Sequence, residues 1–284
     1  MKNSMVVGFK DEAGMVREFA KRFKAAISIV QAGKYRAGEM KLSGPAKSPR
    51  HVVVVANVWE NPESLFRVLL LSHELRHAGA RKVDLVAPWI AYGRQDRASR
   101  PGEEPAGLMV GRLLSSMFDK IVTLDAHSQE FRDGFKGKLT NVIPWKDLES
   151  KEEFDLVAAP DEGATSRASY AAESLGVPFI VIEKVRHGKN VKSKLPAGTK
   201  AKGARILLVD DMADSGGTLK AAAIALKKAG AKTVAATVSH AFDLCRLNRS
   251  AESEISGVDC FFDHASGEMA RDTMESLADV AASV

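Results

Sequence analysis

The sequence predicts an α/β protein with mainly parallel sheets flanked by helices, built in two successive blocks. Three observations carry this. Short runs rich in Val, Ile and Leu recur along the chain, at residues 5–8, 27–30, 52–57, 83–88, 121–124, 156–160, 179–183, 206–209 and 234–238. Longer amphipathic stretches separate several of them, at 12–25, 64–79, 104–118, 164–176 and 217–230. The alternation runs once up to about Trp145 and begins again near Phe154. Near-continuous apolar strands that alternate with helices are the pattern of parallel sheets covered on both faces.

Taken in order, the strand runs are short and nearly continuously apolar. The helical stretches end where expected, since Gly79, Gly176 and Gly230 stand where a left-handed residue closes a helix. The polar segment 144–153 carries Pro144 and divides the blocks, giving expected domains of 1–147 and 148–284. The last stretch, 269–284, is compatible with a helix that packs back on the first block. No repeat of sequence accompanies the repeat of architecture.

The chain has 284 residues, 45% of them hydrophobic and 27% charged, which is the composition of a folded globular chain rather than a disordered one. Two cysteines, Cys245 and Cys260, exclude a disulfide scaffold, have no C-x-x-C spacing and receive no role. The longest apolar runs, 52–56 and 68–71, fall far short of the about 20 residues of a membrane span. The start of the chain lacks a signal-peptide core. The expectation is a cytoplasmic, reduced protein with no membrane partner. A net charge of +5 and a pI near 9.1 raise a nucleic-acid reading. However, residues 184–205 hold eight Lys and Arg and no Asp or Glu, which exceeds the whole excess. The positive charge is one local segment, and no nucleic-acid partner is expected.

The chemistry concentrates in Arg205-Ile-Leu-Leu-Val-Asp-Asp-Met-Ala-Asp-Ser-Gly-Gly-Thr-Leu219. An apolar strand runs into Asp210 and Asp211, then into Asp214, Ser215, Gly216, Gly217 and Thr218, then into a helix of small residues. The two glycines let backbone approach an anion closely. The helix start offers free N–H groups and a positive dipole end to a phosphate, and Ser215 and Thr218 add hydroxyl donors. The aspartates at the strand end suit sugar hydroxyls or a cation. A plain capped βα turn with Asp214 as N-cap leaves the Asp pair without a use.

This segment resembles the phosphoribosyl-diphosphate loop shared by type I phosphoribosyltransferases and ribose-phosphate diphosphokinases. The first block favours the second family. Tyr92-Gly-Arg-Gln-Asp96 resembles its Tyr-x-Arg-Gln-Asp signature, and Asp125-Ala-His127 its Asp-x-His motif. Pro160-Asp-Glu-Gly-Ala164 is similar to its Pro-Asp-x-Gly-Gly, with Ala164 for the second glycine. Glu183-Lys-Val-Arg186 resembles its Asp-Lys-Arg-Arg segment, which opens a flexible catalytic loop. Tyr35-Arg-Ala-Gly-Glu39 keeps the aromatic and the glutamate of the nucleotide segment but has Ala37 where the family has an acid or amide. The stretch 61–65 lacks the family's Asn-Asp pair, and the stretch 260–264 departs from its Asp-Thr-Ile-Pro.

The resemblance implies two similar phosphoribosyltransferase-like domains with the active site between them. It implies Mg²⁺-dependent transfer of the diphosphoryl group of ATP to the 1-hydroxyl of ribose 5-phosphate. Lys184 and Arg186 would be catalytic; Arg94, Gln95 and Asp96 would bind ATP, with Tyr35 and Glu39 reaching the ATP of a neighbouring subunit. Asp210, Asp211, Asp214, Ser215, Gly216, Gly217 and Thr218 would bind ribose 5-phosphate, and His127 and Asp161 would help hold Mg²⁺. A homo-oligomer, at least a dimer, follows from the shared ATP site. Alternatives are a phosphoribosyltransferase, which shares Asp210 to Thr218 alone, and a non-catalytic regulatory relative, motivated by Ala37. No general base is assigned.

His73-Glu-Leu-Arg-His77 matches the zinc-hydrolase string H-E-x-x-H. It has no third ligand at a suitable spacing, and the two imidazoles are expected to be partly packed on a helix face shared with Phe66 and Leu70. Trp59, Trp89 and Trp145 are expected to be packing residues, and His240 to support the sugar-phosphate loop.

Overall fold

The fold is that of a computed structural model, which describes residues 4–148, 153–187, 190–242, 258, 260–263, 277 and 280–281. The chain divides into two compact units, Met1–Val142 with Glu275–Val284, and Ile143–Met274.

The first unit runs β1 (Ser4–Phe9), α1 (Ala13–Phe23), β2 (Ala26–Val30), a hairpin of β3 (Ala32–Lys34) and β4 (Met40–Leu42), β5 (His51–Val55), α2 (Pro62–His77), β6 (Lys82–Val86), α3 (Ala106–Met117), β7 (Ile121–Leu124), α4 (Gln129–Asp133) and β8 (Leu139–Val142). Its sheet has the order β2-β1-β5-β6-β7-β8, and every pairing is parallel. The valines of β5 are buried on both sides of the strand because helices cover both sheet faces. One core gathers Val7, Val54, Val68, Leu71, Leu85, Leu114 and Phe131 from both strands and helices.

The second unit runs β9 (Leu156–Ala159), α5 (Thr165–Leu175), β10 (Phe179–Val181), a hairpin of β11 (Glu183–His187) and β12 (Asn190–Lys194), β13 (Arg205–Ala213), α6 (Gly217–Lys228), β14 (Thr233–Ala241) and β15 (Cys260–Asp263). Its sheet, β10-β9-β13-β14-β15, is again all parallel. Two cores lie in this unit, one around Ile206, Leu208, Leu219 and Val238, the other around Trp145, Val157, Ala168 and Val209.

The two units share one strand order. In each, the second strand in sequence lies outside the first, a two-stranded hairpin follows it, and the next long strand lies on the first strand's other side. The crossovers therefore diverge between β1 and β5 and between β9 and β13. In open α/β sheets, the crevice past the strand ends at such a switch point is where ligands bind.

Some elements differ from the sequence expectation. The run 179–183 is not one strand: β10 ends at Val181, and Glu183 begins the β11 hairpin. The expected loop at Lys184 and Arg186 is thus a strand antiparallel to β12. Asp210 and Asp211 do not end their strand, because β13 continues to Ala213 by pairing with β14, with Met212 opposite His240 and Ala213 opposite Ala241. His73 and His77 are exposed rather than partly packed, since Ser64, Val68, Leu71, Ser72 and Leu75 form the buried stripe of α2. Among the described residues no group of His, Cys, Asp and Glu forms a metal cage. Trp145 is fully buried and Trp59 and Trp89 partly so. Cys245 and most of the stretch 269–284 lie outside the described residues. No described helix is long and apolar enough to cross a membrane.

Candidate active site

In the second unit, β9 delivers Asp161 two residues past its end. Asp161 Oδ1 accepts a hydrogen bond from Gly163 N at 3.0 Å and so caps the turn Glu162–Ala164 that leads into α5. Gly163 fits closely here, since a Cβ on it would stand 3.2 Å from Asp161 Oδ1 and make that side chain shift slightly. Ala164, where the family motif has a second glycine, is fully buried among Val157, Ala168 and Val209, so the methyl is absorbed by the core.

β13 brings up Asp210 and Asp211, whose side chains alternate across the strand. Asp211 is buried, and its backbone N–H donates to Asp210 Oδ1 at 2.9 Å. Asp210 is partly exposed as a residue, but its carboxyl is desolvated. That desolvation, and then the charges of Asp211 and Asp161, push the Asp210 carboxyl well above the usual carboxylate range. The turn Asp214, Ser215, Gly216 follows. Gly216, at φ 69°, is the N-cap of α6 and offers no side-chain cap, so Asp214 is not the cap. The first turn of α6 directs its N–H groups toward this turn, as a helix N-terminus does toward an anion.

Two cations close on these carboxylates. Lys184 Nζ donates to Asp161 Oδ2 and, at 3.3 Å, to Thr218 Oγ1. Arg186 lies two positions further along β11. Arg167, which sequence reading did not single out, is 9% exposed in the first turn of α5. Its Nη1 donates to Gly163 O at 3.1 Å, and its Nη2 lies 3.7 Å from Asp211 Oδ2. The signal was available: Arg167 falls in the buried stripe with Ala168, Ala171 and Ala172, and a buried guanidinium requires an acidic partner. His240 is also buried here, beside Met212.

In the first unit, Arg94 and Gln95 are exposed on the loop after β6, and Asp96 is buried. The loop opens on Tyr92 in the left-handed region at φ 68°. Gln95 N donates to Tyr92 O at 3.0 Å, and Gly107 N of α3 donates to Gln95 O at 2.9 Å. A Cβ on Gly107 would stand 2.7 Å from Tyr92 O and 3.0 Å from Gln95 O, so this helix packs on the loop only as glycine.

His127 follows β7 through a second left-handed residue, buried Asp125 at φ 44°. Two bonds fasten that turn to β8: Asp125 N to Val142 O at 2.8 Å and Ala126 N to Asn141 Oδ1 at 2.7 Å. The two loops meet, since a Cβ on Gly93 would stand 3.2 Å from His127 Cβ. Neither Gly107 nor Asn141 was singled out from the sequence, because Gly107 acts by lacking a side chain and Asn141 by binding the backbone N–H of Ala126. Tyr35 and Glu39 stand on the exposed tip of the β3–β4 hairpin, closed by Tyr35 N to Glu39 O at 2.8 Å, with Lys41 Nζ 5.4 Å from the Tyr35 ring centre.

The chain is similar to known proteins over most of its length. Residues 4–120 match the family described as the N-terminal domain of ribose phosphate pyrophosphokinase, and residues 132–266 match the phosphoribosyl transferase domain. The ribose-phosphate pyrophosphokinase of Pyrococcus furiosus is 32% identical over 82% of this chain and 83% of its own. That of Methanopyrus kandleri is 31% identical over 88% of this chain and 87% of its own. The fold is that of the phosphoribosylpyrophosphate synthetase from Mycobacterium smegmatis, with a TM-score of 0.77, 22% identity and coverage of 98% of this chain and 100% of that one. Each unit is therefore a phosphoribosyltransferase-like domain, and the chain is an enzyme that belongs to the ribose-phosphate pyrophosphokinase family.

Proposed function

We propose that the enzyme transfers the diphosphoryl group of ATP to the 1-hydroxyl of ribose 5-phosphate, giving 5-phosphoribosyl 1-diphosphate and AMP. One observation carries the reading furthest: Lys184 donates at once to Asp161 and to Thr218, so a hairpin cation lies across both a strand-end carboxylate and the phosphate-type turn. A phosphoribosyltransferase has no need of that lysine.

In this reading the first turn of α6, with Asp214, Ser215, Gly216, Gly217 and Thr218, takes the 5-phosphate. Asp210 and Asp211 accept hydrogen bonds from the ribose hydroxyls, and Arg167, 3.7 Å from Asp211, holds that carboxylate in place. Arg94, Gln95 and Asp96 bind ATP, and Tyr35 and Glu39 reach the nucleotide held by a second copy of the chain, which requires at least a dimer. The 1-hydroxyl oxygen forms a bond to the β-phosphorus as the bond from that phosphorus to the α,β-bridging oxygen breaks. AMP departs with the bridging oxygen, and the hydroxyl proton is released to solvent. Such transfer needs positioning and charge neutralisation more than covalent help. Lys184 and Arg186 supply positive charge to the diphosphoryl oxygens.

The donor set fits Mg²⁺. Oxygen donors dominate, with the carboxylates of Asp161, Asp210 and Asp211 close enough to feel one another's charge, and Mg²⁺ characteristically takes one or two carboxylates together with substrate phosphates rather than a full protein cage. His127 would help position Mg²⁺ on ATP, directly or through water, and Asp161 would reach a second Mg²⁺ or the ribose; the ions would neutralise triphosphate charge. Because Lys184 occupies Asp161 here, the lysine exchanges that carboxylate for substrate phosphate when the substrates bind.

Lys184→Ala is expected to lower kcat by about 10²–10³-fold, the scale of losing one charged transition-state donor, with little change in ribose 5-phosphate affinity by calorimetry. Near-normal turnover would remove Lys184 from the mechanism.

A further inference from the structure

A cavity of about 280 Å³ lies in the first unit, lined by Asp11, Lys34, Trp59, Asn61, Glu63 and Arg67 among others. None of these residues belongs to the site proposed above. Its position is telling. Asp11 lies two residues past the end of β1, and Asn61 and Glu63 lie at the start of α2, which follows β5. The cavity therefore occupies the switch point between β1 and β5.

The counterpart in the second unit is the crevice between β9 and β13, and the correspondence extends to side chains. Asp11 follows β1 by the same two residues by which Asp161 follows β9. A hairpin stands at the same place in each unit's strand sequence and carries a lysine. Lys184 donates to Thr218, the second residue of α6; Lys34 donates at 2.5 Å to Glu63, the second residue of α2. Two features differ. Where α6 opens with Gly217 and Thr218, α2 opens with Pro62 and Glu63. Proline removes one first-turn N–H, and the glutamate sets a negative charge where an anion would sit.

We propose that this cavity is a second sugar site, built on the frame of the ribose 5-phosphate site but selective for a neutral ribosyl ligand, either free pentose or an unphosphorylated nucleoside. The ligand class rests on the reading of the second unit as the ribose 5-phosphate site. Asp11 and Glu63 accept from sugar hydroxyls, and Asn61 and Arg67 donate to them. The Trp59 ring supplies the flat apolar wall that a sugar or base face needs. The side chains of Lys34, Glu63 and Asp11 are all more than half exposed, at 54%, 62% and 60%, so the ion pairs they make at the rim are weak and open to exchange with a ligand. Arg67 is held in place by Asp11 at 2.6 Å and by Glu12 at 3.1 Å, and its Nε is buried without a hydrogen-bond partner. The β3–β4 hairpin forms one wall, so a bound ligand would steady the tip that carries Tyr35 and Glu39.

The test uses the full chain labelled with 5-fluorotryptophan, whose three tryptophans give three fluorine resonances, with Trp59 assigned from Trp59→Phe. Ribose, adenosine and ribose 5-phosphate are titrated separately. The expected result is that ribose or adenosine moves the Trp59 resonance and leaves those of Trp89 and Trp145 in place. Glu63→Ala and Asp11→Ala should each raise the titration midpoint about tenfold, the scale of one lost hydrogen bond to a charged group, and Thr218→Ala should not alter it. A lower midpoint for adenosine than for ribose identifies a nucleoside; equal midpoints identify a pentose. A Trp59 resonance unmoved by both neutral ligands, or moved as readily by ribose 5-phosphate, overturns the proposal. Calorimetry of ribose 5-phosphate on Thr218→Ala reads the other site separately, so failure there is distinguishable from failure here.

Discussion

Four non-glycine residues among those described adopt left-handed backbone: Lys24, Tyr92, Asp125 and Lys136. Lys24 closes α1 and Lys136 lies in a turn, where such a conformation is ordinary. Tyr92 and Asp125 differ, since each opens a loop past a parallel strand and those loops meet. Left-handed backbone costs about 1–2 kcal/mol for such residues, and strain of this kind persists where surrounding bonds hold it, typically at functional sites. For Asp125 the holding bonds come from β8. Asn141→Ala is therefore expected to free the Asp125–Ala126 peptide and raise KM for Mg·ATP about tenfold, as the loss of a partly buried hydrogen bond predicts, with KM for ribose 5-phosphate unchanged. Asn141→Asp keeps an acceptor oxygen and should stay within about threefold of the original. Equal impairment of both variants would assign Asn141 to packing alone. The residues proposed from the sequence, such as Asp161, Lys184 and Asp210, are those whose side chains themselves have reactive or charged groups to notice. Asn141, Gly107 and Arg167 were not proposed, because their work is to hold backbone or another side chain.

At the scale of elements, the parallel strands were readable because burial on both faces makes them continuously apolar, as in β5 and β9. The two hairpins were not. β3 is exposed at every position, and β11 and β12 are rich in Lys, Arg and Asn, so neither has an apolar period to find. The end of β13 was missed for a related reason: Asp210 and Asp211 read as the strand's end, yet pairing with β14 carries the strand through them to Ala213. Helix α3 meets the Arg94 loop at Gly107, and Gly107→Ala should displace Tyr92 and Gln95. We expect a KM for ATP raised about tenfold or more, since a misplacement of about 1 Å can cost far more than that; unchanged ATP kinetics would contradict the close approach.

The starts of β9 and β13 are joined by Asp155, which accepts from Arg205 N, Nε and Nη2 at 2.8–3.2 Å. The hydrogen bonds from the Arg205 side chain, and then from its backbone, hold the Asp155 carboxyl down at about 2. Its folded pKa lies below its unfolded one, near 3.8. Its stabilising contribution is therefore complete above that unfolded value and is lost as pH falls through about 2. Urea midpoints measured from pH 5 downward should fall less steeply for Asp155→Asn than for the original chain. Parallel slopes would show that the exposed pair contributes nothing.

At the scale of the whole molecule, the chain uses one topology twice with different chemistry at corresponding places. The two-block alternation was legible because each block repeats the same succession of buried strand and covering helix. Their common strand order was not, since pairing between strands distant in sequence leaves no local pattern. That order sets where the proposed site residues fall: in the second unit they surround the switch point, whereas in the first the Arg94 and His127 loops lie past β6 and β7, away from it. The central claim is the transfer of a diphosphoryl group, and the products of ATP and ribose 5-phosphate test it most directly. With the purified chain, Mg²⁺ and no nucleobase, phosphorus NMR should show AMP and 5-phosphoribosyl 1-diphosphate appearing in equal amounts. A folded protein that yields ADP, or no AMP at all, would contradict the account.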